Sequence, residues 1–277
     1  MAFNWPTFFT RLGSAIVFSI IMLAGLLWNE WAFLLLVSAI QFLCLRDVHR
    51  LAQKIYPDVV WPGWLSVSIQ VGSMAWLWLI YFSLIGMVYW PVMLCFPIII
   101  ILIAGLSQRE ALLAALIALG GMFYIMLPMA LLLQLRMQSL LLPLALILLI
   151  WVNDTMAYLV GSVIGKRPFS DISPNKTWEG TIGGAVLTVV VAMMWGHFSG
   201  NYKLTDWMAL ALCAALAGTA GDLLESKLKR MANVKDSGKL MPGHGGALDR
   251  FDSLLVATPF AFCYAYFFMP ALPLVIF

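Results

Sequence analysis

The chain has 277 residues, of which 63% are apolar and only 10% are charged. A soluble domain of this size has too few polar side chains here to cover its surface, so most of the chain must face lipid. The formal net charge is +3, a small excess of 16 basic over 13 acidic side chains. This balance argues against a strongly basic nucleic-acid-binding surface, and we expect no nucleic-acid partner.

Long apolar runs predict nine transmembrane helices, because a helix needs about 20 apolar residues to cross the hydrocarbon core while pairing its own backbone groups. They lie near residues 11–28, 31–45, 64–82, 84–104, 111–133, 139–160, 180–198, 205–223 and 253–276. The first two runs are short, which leaves a tilted or re-entrant hairpin open as an alternative. The sequence therefore predicts an all-α, polytopic protein with a single integral membrane domain, in which residues 1–138 are mainly scaffold and residues 139–277 are the catalytic half.

The basic residues predict which ends of the helices face the cytoplasm. With nine spans, 14 of the 16 Lys and Arg residues fall on one side, and only Arg136 and Lys203 fall on the other. The positive-inside rule then places the N-terminus in the cytoplasm and the C-terminus outside.

The richest polar segment is residues 218–253, between the eighth and ninth predicted spans. It reads GTAGDLLESKLKRMANVKDSGKLMPGHGGALDRFDS. Asp249 and Asp252 are three residues apart, so at a helix start both carboxylates lie on one face and can hold a hard cation. Asp222 lies near the end of an apolar helix, where a carboxylate calls for a partner or a ligand. Together these acids suggest a Mg²⁺ site, although an ion network with Arg230 and Arg250 would explain the same pattern.

Glycines surround His244 in the same segment. Glycine lets a bulky group approach the backbone, and the amides of Gly245 and Gly246 can form a concavity that accepts phosphate. The His244 side chain could donate a hydrogen bond to phosphate, act as a general acid or orient another group, and the sequence does not choose among these roles.

A second polar segment, residues 153–180, reads NDTMAYLVGSVIGKRPFSDISPNKTWEG. Asp154 interrupts an apolar helix near its cytoplasmic end and again calls for a partner or a ligand. The stretch from Ser173 onward is typical of a loop that turns into the seventh helix, with Lys176 available for phosphate and Thr177 or Asn175 as the helix cap. The pairs Gly161/Gly165 and Gly180/Gly184 have the spacing of close helix packing.

Phosphate chemistry accounts best for this mixture of residues, since it needs cations on the phosphates and carboxylates for a metal but little covalent help from protein. The sequence contains no GxxxxGK[ST] motif, which argues against a P-loop nucleotidase.

Residues 226–252, together with NDTMAYLVG and SPNKTWEGTIGG, resemble the signature stretches of the phosphatidate cytidylyltransferases, also called CDP-diacylglycerol synthases. The resemblance implies a bacterial inner-membrane enzyme, with its active site facing the cytoplasm, that makes CDP-diacylglycerol and pyrophosphate from CTP and phosphatidic acid. It also implies that Asp222 and Asp249 bind Mg²⁺, with K⁺ as a candidate second ion. The oligomeric state is open, and a homodimer is one candidate.

The remaining site residues are assigned from their places in the two polar segments. The candidate catalytic residues are Lys227, Lys229, Arg230, Lys235, Asp236, His244, Arg250 and Asp252. The candidate substrate-binding residues are Asp154, Ser173, Asn175, Lys176, Thr177, Gly245 and Gly246.

Three other functions compete with this interpretation. A CTP-dependent lipid kinase would release CDP, and a cytidylyltransferase for another lipid phosphate would release pyrophosphate but give a different lipid product. A transporter would instead carry broken helices in two related halves with charges near the midplane, whereas the polar residues here gather at one face and in one half.

Overall fold

The structure is a computed structural model that describes residues 5–83, 90–107, 109–238, 240 and 245–269. Parts of the predicted fourth and ninth spans, and His244, lie outside these residues. The described chain is almost entirely helical. In chain order the elements are α1 (Trp5–Leu27), α2 (Glu30–Ile55), α3 (Gly63–Ser83), α4 (Trp90–Ser107), α5 (Arg109–Gln138), α6 (Leu141–Ile164), β1 (Pro168–Ser170), β2 (Ser173–Thr177), α7 (Trp178–Ser199), α8 (Leu204–Leu212), a π-helical turn (Cys213–Ala217), α9 (Gly218–Met231) and α10 (Leu248–Phe268).

Seven helical stretches within the described residues are long and apolar enough to cross a bilayer. One of them, Leu204–Met231, runs from α8 through the π-helical turn into α9. Two shorter apolar stretches, Leu12–Leu27 and Cys95–Leu106, belong to α1 and α4. Each of the nine predicted spans therefore corresponds to a helix, and the predicted all-α, multi-pass membrane fold is confirmed.

Helix α2 differs most from its prediction. It begins where the break at Asn29 was expected, because the Asn29 side chain accepts a hydrogen bond from the Ala32 amide at 2.7 Å and caps the helix. It ends at Ile55, well beyond the predicted end at residue 45, and has 26 residues. The second run is thus long enough to cross the membrane, because its charged last turns continue the helix.

Packing divides the chain into two compact units, Met1–Leu133 with Leu228–Arg250, and Gln134–Lys227 with Phe251–Phe277. In the first unit α2 packs against α1 and α3. The Gln41 side chain donates to the Ser73 carbonyl at 2.8 Å, and the Trp78 indole donates to the Ser38 hydroxyl at 3.0 Å. Such hydrogen bonds between helices add to the attraction that packing supplies in lipid.

In the second unit α6 and α7 pack closely along glycines. A Cβ atom on Gly184 would lie 2.8 Å from the Ala157 Cα atom, and one on Gly161 would lie 3.5 Å from the Gly180 Cα atom. The prediction that these glycines serve helix packing is confirmed. Gly165 is different, because a Cβ atom there would collide with the Gly161 carbonyl oxygen of α6 itself and with the Thr177 side chain of β2.

A short antiparallel hairpin, β1 with β2, joins α6 to α7. The sequence predicted only a loop at Ser173–Thr177, and this was wrong. The Glu179 carboxylate accepts the backbone amides of Lys166 and Arg167 at 3.1 and 3.2 Å, which holds the start of the hairpin against the start of α7. The predicted cap at Thr177 is confirmed, since its hydroxyl accepts the Gly180 amide at 3.1 Å.

Candidate functional site

A polar pocket of about 390 Å³ lies in the second unit, between α6, β2 and α9. Six residues that the sequence predicted for the site line it, namely Asp154, Ser173, Asn175, Lys176, Thr177 and Asp222. They come from three separate stretches of the chain. The fold therefore brings the two polar segments of the sequence together at one cavity.

An ion pair joins these segments at the pocket. The Lys176 ammonium group of β2 contacts the Asp222 carboxylate of α9, and the Ser226 hydroxyl donates to the same carboxylate at 3.4 Å. The side chains of Lys176 and Asp222 are 28% and 29% exposed. The pair is therefore partly solvated, and an anion entering the pocket could exchange with Asp222 as the partner of Lys176.

Three acids form what we call the acidic cluster: Asp222 and Glu225 of α9, and Asp252 of α10. One carboxylate oxygen of each lies within 4.8 Å of the others. Glu225 is fully buried and Asp252 is 8% exposed. Buried like charges repel one another, whereas a divalent cation would offset the repulsion and prefers oxygen ligands. The donor set thus fits Mg²⁺.

Gly221 explains how the two helices of the acidic cluster approach each other. A Cβ atom at this position would collide with the Asp252 carbonyl oxygen. Glycine therefore permits backbone contact between α9 and α10, which places Asp252 beside Asp222 and Glu225.

Glu225 was missing from the site residues predicted from the sequence. A usable signal was present, because Asp222 and Glu225 are three residues apart and so share one face of α9. The same rule was applied to Asp249 and Asp252, but the structure places these two acids in different groups.

Asp249 lies in the first unit and contacts the segment between α9 and α10. We call the described residues of that segment, 232–238, 240 and 245–247, the glycine-rich loop. One carboxylate oxygen accepts the Ser237 amide at 2.9 Å, the Ser237 hydroxyl at 2.7 Å and the Gly246 amide at 2.7 Å. The other Asp249 carboxylate oxygen forms an ion pair with the Lys229 ammonium group at 2.7 Å. Gly245 has φ +82, and a Cβ atom there would lie 2.6 Å from the Asp249 carboxylate. Glycine is needed at this position for both reasons.

The structure thus groups Asp222 with Glu225 and Asp252, and groups Asp249 with Lys229 and the glycine-rich loop. A metal ion shared by Asp222 and Asp249 stays a prediction.

The other predicted catalytic residues lie on α9, the glycine-rich loop and α10. Those that are exposed to solvent are Lys227, Arg230, Lys235, Asp236 and Arg250. His244 lies outside the described residues, so its role stays a prediction. Exposed cations attract anionic substrates without holding them in one geometry.

The model of the cytidylyltransferase family matches residues 9–268. A phosphatidate cytidylyltransferase of Haemophilus influenzae is 44% identical over 128 residues, which cover 44% of each of the two chains. A phosphatidate cytidylyltransferase of Staphylococcus aureus is 45% identical over 115 residues, or 40% of this chain and 44% of the relative. The matched segments thus span less than half the length of these curated relatives.

Proposed function

The chain belongs to the cytidylyltransferase family, and we propose that it transfers a cytidylyl group from CTP to phosphatidic acid, giving CDP-diacylglycerol and pyrophosphate. The observation that carries the proposal is the polar pocket, where Lys176 meets Asp222 next to the acidic cluster. This arrangement offers a cation for phosphate oxygens and carboxylates for a metal. Both are needed to bring two anionic substrates together.

Lys176 and its neighbours bind the triphosphate of CTP in this proposal. The Lys176 ammonium group exchanges its Asp222 partner for phosphate oxygens. The hydroxyl of Thr177 uses a lone pair to cap α7, which leaves its hydrogen available to the pocket. Ser173 and Asn175 add hydrogen-bond donors on the same strand and also line the pocket.

The reaction needs no strong base from the protein, because the phosphate of the lipid is already an anion at neutral pH. One of its oxygens forms a bond to the α-phosphorus of CTP, and the bond from that phosphorus to the bridging oxygen of the β-phosphate breaks. The electron pair leaves with pyrophosphate. The protein contributes by holding the two phosphates close and in line, which is where most of the catalytic advantage of such sites arises.

Mg²⁺ held by Asp222, Glu225 and Asp252 would neutralise charge on the reacting phosphates. We propose K⁺ as a candidate second ion. The exposed cations of α9 and the glycine-rich loop attract CTP toward the membrane surface, and Lys229 keeps the Asp249 carboxylate in place.

The active site is proposed to face the cytoplasm of a bacterial inner membrane. The distribution of basic residues supports a cytoplasmic active site, because the polar segments that line the pocket carry many of the Lys and Arg residues of the chain. A homodimer is also proposed, and size measurement of the purified protein in detergent would test it.

The test supplies purified protein in detergent with labelled CTP and phosphatidic acid, with and without Mg²⁺. We expect lipid-linked cytidine and pyrophosphate only when Mg²⁺ is present. Release of CDP would indicate a lipid kinase instead, and a cytidylyl lipid formed only with another lipid phosphate would reassign the acceptor.

A variant tests the pocket itself. Asp222→Asn should lower turnover at least a hundredfold, whereas Asp58→Asn, which changes an exposed acid beyond the end of α2, should leave it unchanged. Near-normal turnover by folded Asp222→Asn protein would contradict the proposed site.

A further inference from the structure

Asp47 is a fully buried carboxylate in α2, within the part of the sequence predicted to be scaffold. Its carboxylate accepts the backbone amides of Ala247 at 2.8 Å and Leu248 at 3.4 Å, in the stretch where α10 begins. The first amides of a helix have no partner inside the helix and carry partial positive charge. Asp47 therefore caps α10 from another helix.

The glycine-rich loop is closed around this carboxylate. A Cβ atom on Gly238 would lie 2.8 Å and 3.0 Å from the Oδ1 and Oδ2 atoms of Asp47. One on Gly246 would lie 2.5 Å from the same Oδ2 atom and would also collide with the Ser237 hydroxyl. Real Cβ atoms do not approach oxygen so closely, so Asp47 requires glycine at position 238, and Asp47 and Ser237 together require it at position 246.

A second carboxylate holds the same loop from the other side. The Gly246 amide donates to Asp249, while its Cα atom faces Asp47. Displacement of Gly246 would therefore change the position of the Asp249 carboxylate and of the loop amides. The charge of Asp47 is offset by the guanidinium groups of Arg46 and Arg50, at 3.9 and 4.0 Å.

From these contacts we propose that Asp47 is a positioning residue for the cytidylyl transfer. It fixes the glycine-rich loop, and through the loop Asp249, without touching substrate. This inference rests on the proposed function. It gives α2, which the sequence had assigned to the scaffold, a role in positioning the glycine-rich loop of the first unit.

Kinetics provide the first test. Asp47→Ala should lower kcat about a hundredfold, because small displacements of positioning groups have effects of that size. Asp47→Asn keeps an acceptor oxygen for the α10 amides and should restore turnover to within about tenfold of the wild type. Asp58→Asn is the matched control and should be unaffected.

A merely structural role gives a different result. Folded Asp47→Ala protein, isolated as a monodisperse fraction, would then keep the wild-type kcat per molecule while its yield or Tm fell. That outcome would overturn the proposal.

A double-mutant cycle tests the geometry. Gly238→Ala alone should lower kcat at least tenfold, because the three atoms nearest to its new methyl group all belong to the Asp47 carboxyl group. In the Asp47→Ala background this steric conflict is gone, and Gly238→Ala should add less than a twofold further loss. Independent effects that simply multiply would contradict contact between these residues.

A measurement without substrate separates this inference from the proposed function. Leu240 lies on the glycine-rich loop, its amide donates to the Gly245 carbonyl at 2.9 Å, and its side chain is 39% exposed. A spin label attached to Leu240→Cys, in protein whose four native cysteines are replaced by serine, should give an immobilised EPR spectrum.

Adding Asp47→Ala to this labelled protein should make the label mobile, and adding Asp58→Asn should not. An unchanged spectrum with Asp47→Ala would overturn the positioning role. If Asp47→Ala makes the label mobile but the protein without this substitution forms no CDP-diacylglycerol, the proposed function is refuted. The role of Asp47 in holding the loop then still stands.

Discussion

The Lys176–Asp222 ion pair predicts opposite effects on metal binding and on turnover when Lys176 is changed to Met. In the free protein Lys176 places a positive charge against one member of the acidic cluster. Two charges separated by about 4 to 5 Å interact by about 1 kcal/mol in surroundings as wet as water. A divalent cation carries twice the charge, so the repulsion between the Lys176 ammonium group and the bound ion is on the order of 2 kcal/mol. Partial exposure of both side chains and screening by salt reduce this value.

Lys176→Met should therefore bind a divalent ion about tenfold more tightly, while kcat for cytidylyl transfer falls about a hundredfold because a phosphate ligand is lost. Titration of purified protein in detergent with Mn²⁺, followed by the EPR signal of the free ion, measures the first effect without substrate. Lys176→Arg keeps the charge and should bind Mn²⁺ as the wild type does. Lys166→Met removes an exposed charge before the hairpin and should change neither quantity. Unchanged or weaker Mn²⁺ binding by Lys176→Met would refute the competition between lysine and metal.

Three further changes test the second unit. Glu225→Gln removes a buried charge from the acidic cluster and should weaken Mn²⁺ binding at least tenfold; unchanged affinity would exclude it as a ligand. Gly221→Ala pushes a methyl group against an α10 carbonyl and should destabilise the protein by about 1 to 3 kcal/mol, seen as a lower Tm in detergent. Gly120→Ala, with open space around the new methyl group, should leave Tm equal or higher. Thr177→Ala should cost about 1 kcal/mol through loss of the α7 cap, and Thr177→Ser should restore most of it; equal Tm values for both variants would argue against the cap.

The number and type of the elements could be predicted from the sequence because lipid offers the backbone no partners. Each long apolar run must then pair its own backbone groups as a helix. The ends of helices were less predictable. The break at Asn29 could be predicted because its cap is local. The continuation of α2 to Ile55 could not, because Asp47 accepts backbone amides of residues 247 and 248, far along the chain.

The hairpin of β1 and β2 was missed for a related reason. Its strands have three and five residues and contain two prolines, so local propensity gives no strand signal. Its shape depends on the Glu179 carboxylate, which binds backbone amides on the far side of the hairpin. Such a contact is visible only when the chain is folded.

The charged residues that line the pocket, Asp154, Lys176 and Asp222, could be predicted because acids and lysines at the ends of apolar helices have few other uses. The contacts that these residues make could not be predicted. Lys176 was assigned to phosphate, and its contact with Asp222 depends on how β2 is held beside α9. Asp47 was not among the predicted site residues, because the amides it accepts lie 200 and 201 residues further along the chain.

Glycines act in the same way in both units, and this gives them a chemical role in the site. Gly221 lets the α10 backbone reach α9 and places Asp252 beside the other acids of the acidic cluster. Gly238 and Gly246 let backbone amides close around Asp47. The missing Cβ atom admits a backbone carbonyl at Gly221 and a carboxylate at Gly238 and Gly246. Such close contacts matter most where water is scarce and electrostatic interactions are strong. Substitutions at these glycines should therefore change metal binding and turnover more than they change helix content, and circular dichroism compared with Mn²⁺ titration on the same samples would separate the two effects.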